Sequence, residues 1–177
     1  MCPCNQVMGY VNYTAGYNVG VDPPFLTVKG KVVRGHLVAS RPSQEYPFGT
    51  IEKQKPIFRR LGLDLDRFFN GTLNISIAPK RWVLRDPEFT FMHVEWTELH
   101  PPETFSFARC TLYFKDAPFK GWIYFPHPDT KQRHFQDPSV IEVIAEEIPG
   151  VHYGNGIQII VETARVQMFD QTISRQI

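Results

Sequence analysis

The chain has 177 residues and a mass of 20.5 kDa, with 42% hydrophobic and 21% charged residues, a composition that supports one packed domain and excludes a largely disordered chain. Lys and Arg total 19 against 18 Asp and Glu, a net charge of +1, which excludes the broad basic surface behind non-specific nucleic-acid binding. No apolar run approaches the ~18–20 residues of a membrane-spanning helix, and Met1 to Tyr10 lacks the basic and apolar stretches of a secretory leader, so a cytoplasmic protein without a membrane partner is expected.

Residues 1–24 are polar, carry Gly9, Gly16 and Gly20, and end in Pro23-Pro24; they read as an N-terminal arm. Phe25 to Val33 reads as a strand anchored by Leu26, Val28 and Val33, and Gly35 to Gly49 as a loop. Thr50 to Leu61 is the one clear helical stretch, with Ile51, Phe58 and Leu61 on one face and Gly62 as a stop. Pro56 lacks an N–H, which predicts a helix starting near Lys55 with the proline at its first position. After the Asn70-Gly71 turn signal, Leu73, Ile75 and Ile77 alternate with Thr72, Asn74 and Ser76, the pattern of a half-buried strand.

Further strands are expected around Phe89–Trp96, Phe105–Phe114, Gly121–Phe125 and Gly156–Val161, with a polar loop over His127–Pro138. Val140–Ile144 is apolar and too short for periodicity to separate strand from helix, and the tail from Glu162 to Ile177 is ambiguous. The elements sum to a mainly β domain over residues 25–161 with one or two short helices, most economically a barrel.

Cys2, Cys4 and Cys110 cannot form a closed disulfide set and show no paired zinc spacing; Cys110, among apolar residues, reads as a small core side chain. Asn12, Asn70 and Asn74 each begin an Asn-x-Ser/Thr triplet, read as chance matches in a chain without a leader. The six histidines show no HxH or HxxxH spacing. Trp82, Trp96 and Trp122 suit core packing or stacking on a flat ligand. Lys80-Arg81 and Lys131-Gln132-Arg133 read as solvated charges.

The polar face of the Thr72–Ile77 strand bears the most chemistry. Residues two apart on a strand point the same way, about 6.5–7 Å apart along the chain, so the Thr72 hydroxyl and the Asn74 carbonyl oxygen can reach one hard cation. Magnesium accepts such ligands when phosphates and waters complete its octahedron. The alternative is the solvent-facing side of an amphipathic strand.

Lys29 through Val161 resembles the archaeal-type, CTP-dependent riboflavin kinases. The shared segments are Gly30-Lys31-Val32-Val33-Arg34-Gly35, Ile57-Phe58 to Leu61-Gly62-Leu63, Gly71-Thr72-Leu73-Asn74, Gly121-Trp122-Ile123-Tyr124-Phe125-Pro126, Val140-Ile141-Glu142-Val143-Ile144-Ala145 and Gly154-Asn155-Gly156-Ile157-Gln158-Ile159. Gly71-Thr72-Leu73-Asn74 is similar to the family's GTLN signature and is the most specific match. The resemblance implies a six-stranded cradle-loop barrel, magnesium on Thr72 and Asn74, and Glu142 against the flavin, where it holds the ribityl end or accepts the hydroxyl proton. It places Thr130 or His134 near a threonine–histidine loop facing the flavin. The implied activity is magnesium-dependent transfer of a phosphoryl group from CTP or another nucleoside triphosphate to riboflavin, giving FMN.

Two segments depart from the family. His36-Leu37-Val38-Ala39-Ser40-Arg41-Pro42-Ser43 replaces a glycine-rich phosphate loop, where Ser40, Arg41 and Ser43 can still donate hydrogen bonds to phosphate oxygens. Glu146-Glu147 stands where the family carries basic residues at the nucleotide. These departures support a second expectation, a non-catalytic ligand-binding barrel that has lost the nucleotide site.

Overall fold

The computed structural model describes residues 24–35, 47, 49–130 and 137–170. Ser40, Arg41, Ser43 and His134, together with Cys2 and Cys4, lie outside the described residues. The fold is mainly β, as expected. Its elements are β1 (Phe25–Val33), α1 (Thr50–Arg60), β2 (Leu73–Ser76), β3 (Lys80–Leu84), β4 (Phe89–Val94), β5 (Glu103–Phe114), β6 (Ala117–Pro126), β7 (Val140–Ala145), β8 (Gly156–Glu162) and β9 (Val166–Asp170).

Antiparallel pairing runs β5-β6-β7-β2-β1-β8, and β8 pairs back onto β5, closing a six-stranded barrel with β4 outside the ring against β5. Closure removes the unpaired edges that an open sheet would present. Val140–Ala145 resolves as a strand: its backbone completes the ladders of both β2 and β6. The β5–β6 hairpin turns through Lys115 and Asp116, both at positive φ (49° and 63°), the pair of left-handed residues that a two-residue hairpin matched to strand twist requires.

Strand alternation divides the core in two. On β5, Ala108, Cys110, Leu112 and Phe114 point into the barrel, while Phe105 and Phe107 point out. On β7, Ile141 and Val143 point in, while Ile144 packs with Phe105 and Phe107 on the outer side. The outer cluster is covered by α1 through Ile51 and Phe58, both fully buried, and by Leu63, Leu65 and Phe68 just beyond it.

Two local expectations are corrected. The helix begins at Thr50 and carries Pro56 in its interior. Docking of Ile51 and Phe58 on either side of the proline outweighs the one lost backbone bond, since packing of a buried face supplies most helical stability in proteins. Leu61 leaves that face and is 46% exposed; the chain turns at Gly62, which sits at φ 105°, a left-handed exit suited to glycine. Lys80-Arg81 opens β3, which pairs with β9, built from part of the ambiguous tail. Trp82 and Val166 from this two-stranded sheet join the barrel core, and Trp82 Nε1 donates to Val140 O at 2.9 Å.

Cys110 is buried, as its neighbours predicted. Burial pushes its thiol up to about 12 from 9.0, opposed only by a backbone hydrogen bond at Ile123. The unfolded thiol releases its proton near pH 9 and the folded one does not, so the unfolded state binds fewer protons and stability falls as pH rises from about 9 toward 12. The loss approaches about 1.4 kcal/mol per pH unit within that window. Urea denaturation at pH 8 and pH 10.5 is expected to show a smaller alkaline loss in Cys110→Ala than in the wild type; equal losses would contradict the assignment.

Candidate functional site

The polar residues of interest lie on the outer side of the barrel wall, beneath and beside α1. Asn74 on β2 and Glu142 on β7 are direct cross-strand partners, so their side chains leave the same face with Cβ atoms roughly 4.5–5.5 Å apart. Thr72, just before β2, donates its hydroxyl to Glu142 Oε1 at 2.7 Å. Three oxygen-bearing residues, two of them about seventy positions from the third, thus form one group. Asn74 and Glu142 are only 8% and 9% exposed, so this face of β2 is covered rather than solvated.

Two neighbours set the geometry. Val33 of β1 pairs with Asn74 on the side away from Glu142, and the chain then passes Gly35 over the Asn74 amide. A Cβ at Gly35 would stand 2.6 Å from Asn74 Cγ and 2.8 Å from its Oδ1. Only glycine permits that approach.

The turn before β2 is tied down from beneath. Lys55 of α1, 5% exposed, donates from Nζ to Phe68 O and to Asn70 Oδ1, each at 2.5 Å. Phe69 N donates to Ala145 O at 2.8 Å. Thr72 is therefore held by the helix on one side and by β7 on the other. Burial pulls the Lys55 ammonium below its ordinary range, while the carboxylates of Asp66, Glu52 and Asp64 act in the opposite direction. Sequence reasoning placed Lys55 near a helix start and did not single it out; a lysine at the position i+4 from Ile51 and i−3 from Phe58 was the available signal.

Tyr124 of β6 lies on the same outer side, one step beyond the Ile123–Val143 pair. Its hydroxyl donates to Gln54 Oε1 at 3.1 Å, and Gln54 is 1% exposed. Burial pushes the phenol well above its ordinary value, and the nearby Glu142 and Glu103 carboxylates push the same way, while the Gln54 bond acts against them. Tyr124 therefore stays neutral and keeps its proton at physiological pH. Glu103 receives Trp96 Nε1 at 3.2 Å. Gln54, Tyr124 and Glu103 were not singled out from the sequence, because their meeting depends on α1 lying across β5 and β6.

Thr130 is described and is used locally. Its hydroxyl accepts from Thr104 N at 2.9 Å and donates to His127 O at 3.2 Å, fastening the residues just after β6 onto β5. Trp82, Trp96 and Trp122 are all buried in the two core clusters. Glu146 follows β7: its Oε2 accepts from Lys120 N at 2.8 Å, and its Oε1 lies 3.9 Å from Arg67 Nη2. Glu147 is exposed.

The Thr72, Asn74 and Glu142 oxygens make a hard donor set with one negative charge. That chemistry fits a magnesium ion, whose remaining positions would be taken by water and phosphate. Among the described residues no group of three or more His, Cys, Asp or Glu side chains forms a metal site, and no helix is long and apolar enough to cross a membrane. No protein-family model and no curated protein matches the chain.

Proposed function

We propose that this chain is a riboflavin kinase-like phosphotransferase, which uses magnesium and CTP or another nucleoside triphosphate to phosphorylate riboflavin to FMN. The observation that supports it is the convergence of Thr72, Asn74 and Glu142, residues that the family resemblance assigns to one site, into one covered group on the barrel wall.

The reaction breaks the bond between the γ-phosphorus and its bridging oxygen and forms one to the riboflavin 5′-oxygen, whose proton must leave. Such transfers depend mainly on positioning and charge neutralisation. Magnesium, when bound, supplies the neutralising charge at the phosphates. Thr72 and Asn74 would hold it through their oxygens, with Asn74 fixed by Gly35 and Thr72 by the Lys55-braced turn. Glu142, directly beside both, holds the ribityl end or accepts the 5′-hydroxyl proton. Ser40, Arg41 and Ser43 belong to the phosphate side of this reading, and Thr130 or His134 to the flavin side.

A second reading, a non-catalytic ligand-binding barrel that has lost the nucleotide site, is favoured by Glu146, whose carboxylate stands at the end of β7 and would repel a triphosphate there.

Incubation of the full chain with riboflavin, magnesium and either CTP or ATP is expected to yield FMN. Asn74→Ala is expected to lower the rate about a hundredfold, the scale set by losing one positioned electrostatic partner. Melting curves with riboflavin and FMN separate the readings. A ligand-induced rise without turnover supports the binding barrel, and no rise with either flavin removes the kinase reading and the flavin as ligand.

A further inference from the structure

We infer that the outer barrel wall carries a second ligand site, a groove over β6, β5 and β8 that takes a flat aromatic oxyanion, a ring bearing a carboxylate or phosphate monoester. This site does not rest on the proposed kinase reading: Thr72, Asn74 and Glu142 are not among the residues that line it.

The groove has a cavity volume of about 440 Å³, within the range of small-molecule sites. Its floor follows from register. Lys120 on β6 pairs with Thr111 on β5, and Thr111 pairs with Ile160 on β8. One step along, Trp122 pairs with Arg109. All face outward, opposite to the interior Cys110, Ile159 and Val161. Phe25, 57% exposed, closes the far side, and Asp64, Arg67 and Phe68 form the rim beside α1.

Three cations and two acids line this space, and their partners decide its character. Asp64 lies 3.6 Å from Arg59, and Glu162 pairs with Arg165 at 3.3 Å. Both acids are thus engaged by cations that do not line the groove. Arg109 pairs with Glu88 at 3.1 Å and lies over the Trp122 ring with 5.1 Å to its centroid. It presents a flat, cation-bearing platform on which a ring can stack. Arg67 has only a 3.9 Å contact with Glu146 and lies 5.0 Å over Phe68. Glu146 directs its other oxygen to the Lys120 main chain. Lys120 itself is exposed and, among the described residues, its ammonium has no acidic partner. One unneutralised ammonium beside a stacked guanidinium and an exposed phenyl ring selects an anionic head group on a flat apolar body.

The test is an amide NMR titration of the full chain with phenyl phosphate, benzoate, inorganic phosphate and benzyl alcohol. Phenyl phosphate or benzoate is expected to give saturable shifts at Thr111, Lys120, Gly121 and Ile160, and the tighter of the two identifies the anion. Lys120→Gln is expected to weaken that ligand about tenfold, the scale of one charge-assisted hydrogen bond, and Arg60→Gln to leave it unchanged. The Lys120 side chain holds no described structural contact, so the variant's remaining amide shifts report an intact fold. Binding of inorganic phosphate or benzyl alcohol as tightly as phenyl phosphate would overturn the inference, as would an unaltered affinity in Lys120→Gln or no saturation at these amides with either aromatic anion.

Discussion

Phe58→Ala is expected to lower stability by about 3–5 kcal/mol, the usual cost of emptying a phenylalanine site in a core. Phe58 is 0% exposed, and its ring centroid lies 4.9 Å from Phe107, 5.2 Å from Phe105 and 5.9 Å from Phe91. Two of these contacts are edge-on, the arrangement in which aromatic pairs add attraction beyond their buried area. The lost ring is, with Ile51, one of two fully buried apolar links between α1 and the outer wall of the barrel, and the rigid strands beneath cannot close the void. Urea denaturation should show the full effect, whereas Leu61→Ala, at an exposed position one turn on, should stay within about 0.5 kcal/mol of wild type. Equal losses in both variants would mean that the helix is not anchored through Phe58. Because α1 also carries Gln54 and Lys55, the Phe58 variant should lose any flavin-induced rise in melting temperature.

Gly35→Ala is expected to separate function from stability. The added methyl meets the Asn74 amide, with its carbon 2.6 Å from Cγ and 2.8 Å from Oδ1. The backbone at Gly35 is not in the left-handed region, so alanine is tolerated by the main chain and the displaced group is a side chain. The melting temperature should therefore fall by only a few degrees, the cost of shifting one buried, partnered side chain, while the Asn74 oxygen leaves its place beside Glu142. On the kinase reading, displacement of about 1 Å at a positioning group costs on the order of a hundredfold in turnover. FMN formation under saturating magnesium is the readout. A variant that phosphorylates riboflavin at the wild-type rate would show that the place of Asn74 is immaterial to the chemistry.

The strands were legible where one face is apolar and the other polar. Thr72 to Ile77 shows this: Leu73, Ile75 and Ile77 point into the barrel as the alternation predicts. The same alternation misjudged the opposite face. Asn74 is covered because β1 carries Gly35 over it and β7 sets Glu142 beside it, two long-range events with no local trace. β3 was hidden for a related reason. Lys80 and Arg81 dominate its start, and Trp82 becomes a core residue only when β9 pairs alongside.

Hydrophobic periodicity, turn residues and composition, read along the chain, determined a mainly β domain, most of its strands in chain order and the residue types available for binding an oxygen-seeking cation. These are short-range properties, set by which side of each segment must avoid water. The tertiary structure alone decided that α1 continues through Pro56, that Lys55 braces the turn before Thr72, and that Tyr124 and Gln54 meet near Glu142. Each of these depends on barrel closure, which joins residues dozens of positions apart and supplies, through burial, the energy that overrides the local preferences of proline and lysine.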